Sequence, residues 1–396
     1  MVPKRILLVG LALLALLVGV GAAVARRPVG GPVLHTIALG MDPGAVAVDG
    51  VTGHAFVVDR NTNGYAALGQ GTVSLVDTRA GKLLRTVPVG PDPREAAIDA
   101  RNGHVLVVND DDASVSVLDA RSGKVLGAVH VGSHPHSVAV DARGDRAFVV
   151  NSGDGSMSVL DARRAVVLRT IRLAGDFALS GVAVDARTGR VFVGDTTGAA
   201  SPVHVLDTHG ATATGATVQP RAAGFYGAAS YPSGLYGMNR LVFDPTPVTG
   251  APGGRVFMMG GASLSALDAR TGRLLRTVVV GGNLSAVAVD ARRHRIYVTS
   301  IKGVDANGTP AGPGRLTVLD EGGAVLRTID AGMTPRAVAV DAGSGHVVVV
   351  DEGGSVTIPN AWAWVPAALR QRLPFLNSPV RTRAVPASIT VLDLAR

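Results

Sequence analysis

Three features of the sequence predict an all-β fold, namely a seven-bladed β-propeller with four-stranded blades. An apolar-x-apolar-Asp segment occurs seven times, and a second segment that ends in apolar-Asp occurs seven times in strict alternation with it. Two further short apolar runs accompany each pair, which gives four strands in a unit of about 42 residues, the spacing of a propeller blade. The chain also ends after a third strand and begins, past an apolar N-terminus, with a segment that matches a fourth.

The repeated aspartates mark the ends of two strands in each unit. Between them lies a run such as Phe56-Val57-Val58, and after them a run such as Leu274-Leu275-Arg276-Thr277-Val278. Short β-branched runs separated by Gly, Asn and Asp form strands rather than helices. The first strand of each unit ends at Asp49, Asp99, Asp141, Asp185, Asp244, Asp290 or Asp341, and the third at Asp77, Asp119, Asp161, Asp207, Asp268, Asp320 or Asp393.

The two ends of the chain predict how the ring closes. The last strand includes Val391-Leu392-Asp393, and residues 33–37, Val-Leu-His-Thr-Ile, match a fourth strand. We therefore expect the N-terminal strand to join the last blade. Such closure removes the exposed strand edges of an open sheet.

Two stretches resemble a known repeat family. Tyr297-Val298-Thr299-Ser300 is close to the motif of the YVTN-repeat β-propeller family, and residues 131–140, Val-Gly-Ser-His-Pro-His-Ser-Val-Ala-Val, are typical of it. The resemblance covers about residues 33 to 396 apart from the insertions. It implies the fold strongly and the function weakly, because the family includes exported proteins of which some resemble binding scaffolds and one type is reported to bind single-stranded DNA.

The N-terminus predicts export from the cytoplasm. Lys4 and Arg5 precede an apolar run from Ile6 to Ala25, which is long enough to cross a bilayer as a helix. Residues 23–25, Ala-Val-Ala, also fit a signal-peptide cleavage site. Residues 1–25 are therefore a signal peptide or a membrane anchor, residues 26–32 a linker and residues 33–396 the propeller. In either case the propeller is extracytoplasmic, either anchored in the membrane or secreted.

Composition narrows the classes of function. The chain is 47% hydrophobic and 17% charged, which is typical of a globular protein, and its net charge of +8 favours anionic partners. The absence of cysteine excludes disulfides, thiolate metal sites and cysteine nucleophiles. No known catalytic motif stands in a supporting context.

The insertions point to one working face. With strands A to D counted from the axis outward, the D–A and B–C connections form one face, called here the top face, and the A–B and C–D turns form the bottom face. The insertions at 59–71, 219–240, 300–314 and 351–387 all fall in D–A or B–C connections. Long loops on a rigid scaffold are where binding residues concentrate.

Two groups of residues on the top face are candidates for ligand or partner binding. The insertion at 351–387 contains both tryptophans and several arginines, residue types that anchor interfaces; from it we select Trp362, Trp364, Arg370 and Arg372. The alternative for the tryptophans is inward packing against neighbouring loops.

The second group lies at the axial entrance. Arg94, His136 and Arg336 occupy equivalent positions and predict an electropositive mouth, with His134 beside them. A metal site is not predicted, since only one blade supplies histidines, and no cofactor is predicted either.

These observations predict an exported binding scaffold that captures a protein or small anionic ligand on its top face. The partner is expected to be an envelope protein or an anionic ligand, with the membrane contacted through the N-terminal helix if that helix is uncleaved. The alternatives are an enzyme of lactonase or quinoprotein-dehydrogenase type, since such propellers share the architecture, and single-stranded nucleic acid binding. Binding is favoured over catalysis because no acid–base pair is identifiable, and nucleic acid is disfavoured because no oligonucleotide-binding motif is present.

Overall fold

The computed structural model describes residues 32–40, 42–61, 69–173, 179–195, 203–207, 216–218, 241–247, 253–302, 312–359 and 380–394. These residues contain thirty β-strands and no helix. Twenty-eight strands form seven four-stranded antiparallel sheets, and two form a separate hairpin. The predicted all-β, seven-bladed propeller is confirmed.

The strands follow one another blade by blade along the chain. Blade 1 contains β2 (Pro43–Asp49), β3 (His54–Asp59), β4 (Gln70–Asp77) and β5 (Lys82–Pro91); blade 2 contains β6 (Pro93–Asp99), β7 (His104–Asn109), β8 (Ser114–Asp119) and β9 (Val125–His130). Blade 3 contains β10 (Pro135–Asp141), β11 (Arg146–Asn151), β12 (Ser156–Asp161) and β13 (Val166–Arg172); blade 4 contains β14 (Leu179–Asp185), β15 (Arg190–Asp195), β16 (Val203–Asp207) and β17 (Ala216–Val218). Blade 5 contains β18 (Leu241–Asp244), β19 (Arg255–Gly260), β20 (Ser263–Asp268) and β21 (Leu274–Val279); blade 6 contains β22 (Asn283–Asp290), β23 (Arg295–Ile301), β24 (Arg315–Asp320) and β25 (Val325–Asp330). Blade 7 contains β26 (Pro335–Val340), β27 (His346–Asp351), β30 (Ser388–Asp393) and β1 (Val33–Ala38), and the hairpin contains β28 (Gly354–Pro359) and β29 (Val380–Val385).

The burial of each strand follows its place in the blade. In β7, residues 105–108, Val-Leu-Val-Val, are buried on both faces because neighbouring blades cover both sides of the sheet. In β9, the outermost strand of the same blade, most side chains are exposed. The hydrophobic cores therefore lie between blades, and the first strands of neighbouring blades contact one another around the whole circle.

The N-terminal strand closes the ring, as predicted. The last blade has the strand order β1-β30-β27-β26. Beyond β1, the Leu39 N–H donates a hydrogen bond of 3.1 Å to the Ala387 carbonyl oxygen. Ile37 and Leu39 pack against a core in which Val57 of blade 1 and Ile389 of blade 7 are both buried. The first and last parts of the propeller are thus joined by one sheet and one shared core.

The repeated aspartates stabilise the turns of the bottom face. Asp99 is fully buried, and its Oδ1 accepts hydrogen bonds from the backbone N–H groups of Arg101 and Asn102. Gly103 follows with a φ of 69°, a conformation in which glycine has no Cβ penalty. The Asp-Ala-Arg-x-Gly pattern is therefore an aspartate-capped turn.

The insertions lie in the connections that the sequence indicates. They separate β3 from β4, β17 from β18, β23 from β24, and β27 from β30. In the last of these, β28 pairs with β29 in an antiparallel hairpin that the sequence analysis did not predict. Residues 360–379, between those two strands, lie outside the described residues.

The N-terminal export segment also lies outside the described residues, which begin at Pro32. A search of the described residues found no helix that is both long and apolar enough to span a membrane. The alternatives of signal peptide and membrane anchor therefore stay as predictions.

Candidate functional site on the top face

Four D–A loops of the top face are fixed to the blade that follows them. In each of the four, the carbonyl oxygen of the residue directly before the first strand accepts a hydrogen bond from the N–H of the residue directly after the second strand. Because the bond recurs, the loops form a rigid frame for the side chains they present. The pairs, acceptor first, are Asp42 and Arg60 (3.2 Å), Asp92 and Asp110 (3.1 Å), His134 and Ser152 (2.9 Å), and Thr334 and Glu352 (3.1 Å).

The backbone explains why Asp and His recur in these loops. Asp42, Asp92 and His134 each precede a proline and have φ values of 58°, 45° and 48°. Asp, Asn and His adopt this left-handed conformation more readily than other residues with a side chain. The identity of His134 is thus explained by its backbone conformation without invoking a metal.

Five ionisable side chains form a continuous polar arc across blades 1, 2 and 3. Arg60 Nε lies 2.9 Å from Asp92 Oδ1, and Arg94 Nη2 lies 2.5 Å from Asp92 Oδ2. Arg94 Nε donates to Asp110 Oδ2 at 2.8 Å, and His134 Nδ1 lies 2.9 Å from Asp110 Oδ1. The polar arc is therefore Arg60, Asp92, Arg94, Asp110 and His134, in spatial order. Both carboxylates are shared between two basic groups.

Two repeated positions generate the polar arc. Arg94 is the second residue of its first strand, and Asp110 directly follows its second strand, so the two side chains meet within blade 2. In blade 1 the equivalent residues are Gly44 and Arg60. Because Gly44 has no side chain, Arg60 extends over it to Asp92 in the next loop. A glycine in one blade thus permits an ion pair between blades.

The same two positions meet in blade 7. There the Arg336 Nε donates to the Glu352 carboxylate, as Arg94 does to Asp110. His136, the equivalent residue of blade 3, is half-buried and also has an interaction partner. Arg94 and Arg336, predicted to make an electropositive mouth, are therefore each compensated by a neighbouring carboxylate. Trp362, Trp364, Arg370 and Arg372 lie outside the described residues.

An exposed carboxylate beside the polar arc lies in a negative local field. Burial of part of its carboxyl group, followed by the charges of Asp92 and Asp110, raises the pKa of Asp111 above its ordinary value of 3.8, against the opposite effects of Arg94 and His134. Asp111 is nevertheless exposed to solvent. Asp92, Asp110 and Asp111 were not among the candidates predicted from the sequence. The charged residues at both repeated positions of blade 2 could have indicated them.

A second carboxyl group of the top face keeps its proton up to a higher pH than an ordinary aspartate does. Burial, opposed by the hydrogen bond from the Asn61 N–H and assisted by the nearby Asp42, raises the pKa of Asp59 to about 6. Asp59 ends β3 directly before Arg60. In blades 2 and 3 the equivalent residues are the amides Asn109 and Asn151. Asp59 is therefore an acid at a position where blades 2 and 3 have a neutral side chain.

No metal centre is visible in the part of the chain that the structure describes, where no three His, Cys, Asp or Glu side chains are grouped so as to hold an ion. His134 and His136 are therefore not joined by a third ligand within those residues. The arrangement offers hydrogen-bond donors, acceptors and fixed charges, which are the requirements of recognition.

Comparison with known proteins identifies the class by its fold alone. No family model matches the chain, and no curated protein does. Membership of the YVTN-repeat family therefore stays a prediction. Among solved structures, 1519 chains match, so the architecture is too widespread to define an activity.

One of these solved structures is Kuenenia stuttgartiensis hydrazine synthase. The match has a TM-score of 0.61 at 14% identity and covers 88% of this chain and 97% of that chain. At this identity the similarity concerns the fold, and the protein is accordingly a β-propeller.

Proposed function

We propose that the protein is a binding scaffold whose top face captures a protein partner through a basic group placed on the polar arc. The observation that supports this best is the arc itself, since five ionisable groups from two repeated positions and two loops are held on a rigid frame. Fixed, complementary charges contribute to specificity and to the rate of association.

The balance of charge favours a basic group over a small anion. An anionic ligand of Arg94 would have to displace Asp92 and Asp110, which lie 2.5 and 2.7 Å from its Nη2. A lysine or arginine of a partner meets no such competition at Asp111, where the neighbouring carboxylates already disfavour the negative charge. The net charge of +8 predicts an anionic partner. At this surface we instead propose a partner that presents a cation.

Charge reversal at Asp111 tests the proposal. We expect D111K to lower capture of a crosslinked partner from the envelope of the source cell at least about tenfold, because it replaces an attractive charge pair with a repulsive one. The matched control is D330K, the same change at an exposed aspartate of blade 6. The measurement is the recovery of the partner by the full chain at low and at high salt.

The outcomes separate the alternatives. Capture that is unaffected by D111K, or lost equally with D330K, contradicts the proposed surface. Capture that D111K strengthens would instead indicate an anionic partner such as the one the sequence predicts.

We also propose that the propeller works outside the cytoplasm, attached by residues 1–25 or released from them. The support is the apolar run from Ile6 to Ala25 between basic residues. Catalysis remains the alternative, since the name of the matched solved structure is that of a synthase.

A further inference from the structure

A cavity of about 660 Å³ lies between blades 5 and 6 and opens on the bottom face, opposite the polar arc. Its apolar wall consists of the half-buried Leu275 and Val278, with Phe257 and Leu264 of the core between the blades behind them. Its mouth is formed by turns of the bottom face. This volume falls within the range of about 300–1,000 Å³ that is typical of sites for small molecules.

A shortened turn leaves room for this cavity. In blade 2 the Asp119 N–H bonds to the carbonyl oxygen of Lys124, five residues on, whereas in blade 6 the Asp320 N–H bonds to that of Ala324, four residues on. The blade 6 turn also contains Gly322-Gly323 and so places few side chain atoms over the gap. The cavity is thus a specific departure from the repeat.

An arginine that is engaged elsewhere is left without a partner here. Arg85 in blade 1 and Arg276 in blade 5 are equivalent, since each is in the fourth strand within the sequence Leu-Leu-Arg-Thr-Val. Arg85 Nη1 donates to the Ser122 carbonyl oxygen of the next blade at 3.2 Å. Within the described residues the Arg276 guanidinium has no such bond, and it lines the cavity together with Arg273.

A third arginine is buried in the cavity wall. Arg255 Nη2 lies 2.5 Å from Asp244 Oδ2, and its Nη1 donates to the Glu321 carbonyl oxygen at 2.6 Å. The guanidinium carbon lies 5.1 Å from the centre of the Phe257 ring. Its Nε is buried and has no hydrogen-bond partner among the described residues. Because this arginine is shielded from solvent, it adds a fixed positive charge to the wall, and the exposed Arg273 and Arg276 are the arginines that a ligand can reach.

The charges around the cavity leave a positive surplus. The three arginines Arg255, Arg273 and Arg276 outnumber the two carboxylates of Asp244, which pairs with Arg255, and of Glu321, which contacts the His294 ring. Arg273 and Arg276 form no ion pair within the described residues. An apolar wall beside two guanidinium groups without an ion pair fits a ligand that has an apolar body and an anionic head. A guanidinium fork matches the planar geometry of a carboxylate.

We propose that the cavity between blades 5 and 6 binds an aliphatic carboxylate, with its head at Arg273 and Arg276 and its chain against Leu275 and Val278. This site lies on the face opposite the polar arc and is independent of the function proposed for it. Its ligand is a small molecule, whereas the top face is proposed to bind a protein.

Titration of the full chain with octanoate tests the proposal. We expect R276Q to weaken octanoate binding roughly tenfold or more, since a charge-assisted hydrogen bond is removed. The matched control is R85Q, which removes the equivalent arginine from the interface of blades 1 and 2, where the turn has its usual length. Calorimetry measures the affinity of octanoate for the two variants and for the unchanged chain. All three are measured in the same detergent buffer, so that the partitioning of octanoate into detergent is the same for each.

The chemistry of the probe is tested with octylamine and octanol. Octanoate is expected to bind most tightly, octanol more weakly and octylamine least. Equal binding of octanoate and octanol, an equal loss in R276Q and R85Q, or no octanoate binding would each overturn the proposal. Loss of octanoate binding in D111K would show that the two faces are not independent.

Discussion

At the scale of single residues, the repeat shows which side chains are exceptional. Asp59 occupies a buried position that Asn109 and Asn151 occupy in the next two blades. The pKa of Asp59 is raised to about 6, chiefly by burial. A carboxyl group with a raised pKa stabilises the fold fully at pH values below 3.8, and this contribution is lost as pH rises through about 6.

We therefore expect D59N to raise the free energy of unfolding at pH 8, by up to about 3 kcal/mol at 1.36 kcal/mol per pKa unit, and to change it little at pH 4. Urea denaturation at the two pH values measures this. The control is D351N, because Asp351 at the equivalent position of blade 7 accepts the N–H groups of Met333 and Thr334 at 3.1 and 2.7 Å. D351N is expected to destabilise the protein at both pH values, and a similar result for D59N would contradict the assignment.

At the scale of elements, the aspartates of the turns change the stability of the fold with pH in the direction opposite to that of Asp59. Hydrogen bonds from the Ser122 hydroxyl and backbone hold the pKa of Asp119 below its ordinary value of 3.8, and a hydrogen bond from the Arg164 backbone does the same for Asp161. Such a lowered pKa stabilises the fold above pH 3.8, and the contribution is lost as pH falls through the lowered pKa.

Replacement of one turn aspartate measures this contribution. We expect D119A to lower the free energy of unfolding by about 1 kcal/mol at neutral pH, the usual net value of a hydrogen bond lost near the surface. The loss of stability should shrink as the pH falls below the ordinary carboxyl pKa of 3.8. D119N, which keeps an acceptor oxygen, is the control and should be milder. A loss that is independent of pH would mean that the carboxylate charge has no part in the turn.

At the scale of the whole molecule, stability depends on ring closure. β1 covers the outer edge of β30, and Ile37 packs into the core shared by blades 7 and 1. Without β1, β30 becomes an exposed edge of the kind that pairs with other chains.

Two deletions separate closure from export. Deletion of residues 1–38 is expected to lower the midpoint of thermal unfolding, to speed amide hydrogen exchange in β30 and to promote aggregation. Deletion of residues 1–31, which keeps β1, is expected to preserve the fold and to leave the protein in the cytoplasm. Equal exchange in β30 for both deletions would contradict the role of closure, and normal export of the shorter deletion would contradict the proposed export segment.

The sequence is most informative where a physical signal is local and repeated. The seven copies of the Asp-turn pattern predict the strands, their number and the closing role of residues 33–37. They do not predict the hairpin of β28 and β29, which has no counterpart in the described residues of the other blades. The candidates Arg94, His134, His136 and Arg336 were found on the top face because their loop position follows from the strand order.

The sequence did not predict which charged side chains pair with one another. Arg60 and Asp92 are 32 residues apart, and they meet because Gly44 leaves space between two blades. Arg276 and Arg85 have the same local sequence, yet a turn that is one residue shorter in the next blade deprives Arg276 of its acceptor.

By itself, the sequence determined the fold of this protein. The alternation of strands and turns depends on residues that are close together in the chain, and the same pattern is repeated seven times. Only the tertiary structure decided which charges compensate one another on the top face and which arginines remain unpaired on the bottom face. The physical reason is that ion pairs between blades depend on side chain reach across a gap, and the width of that gap is set by residues far apart in the chain.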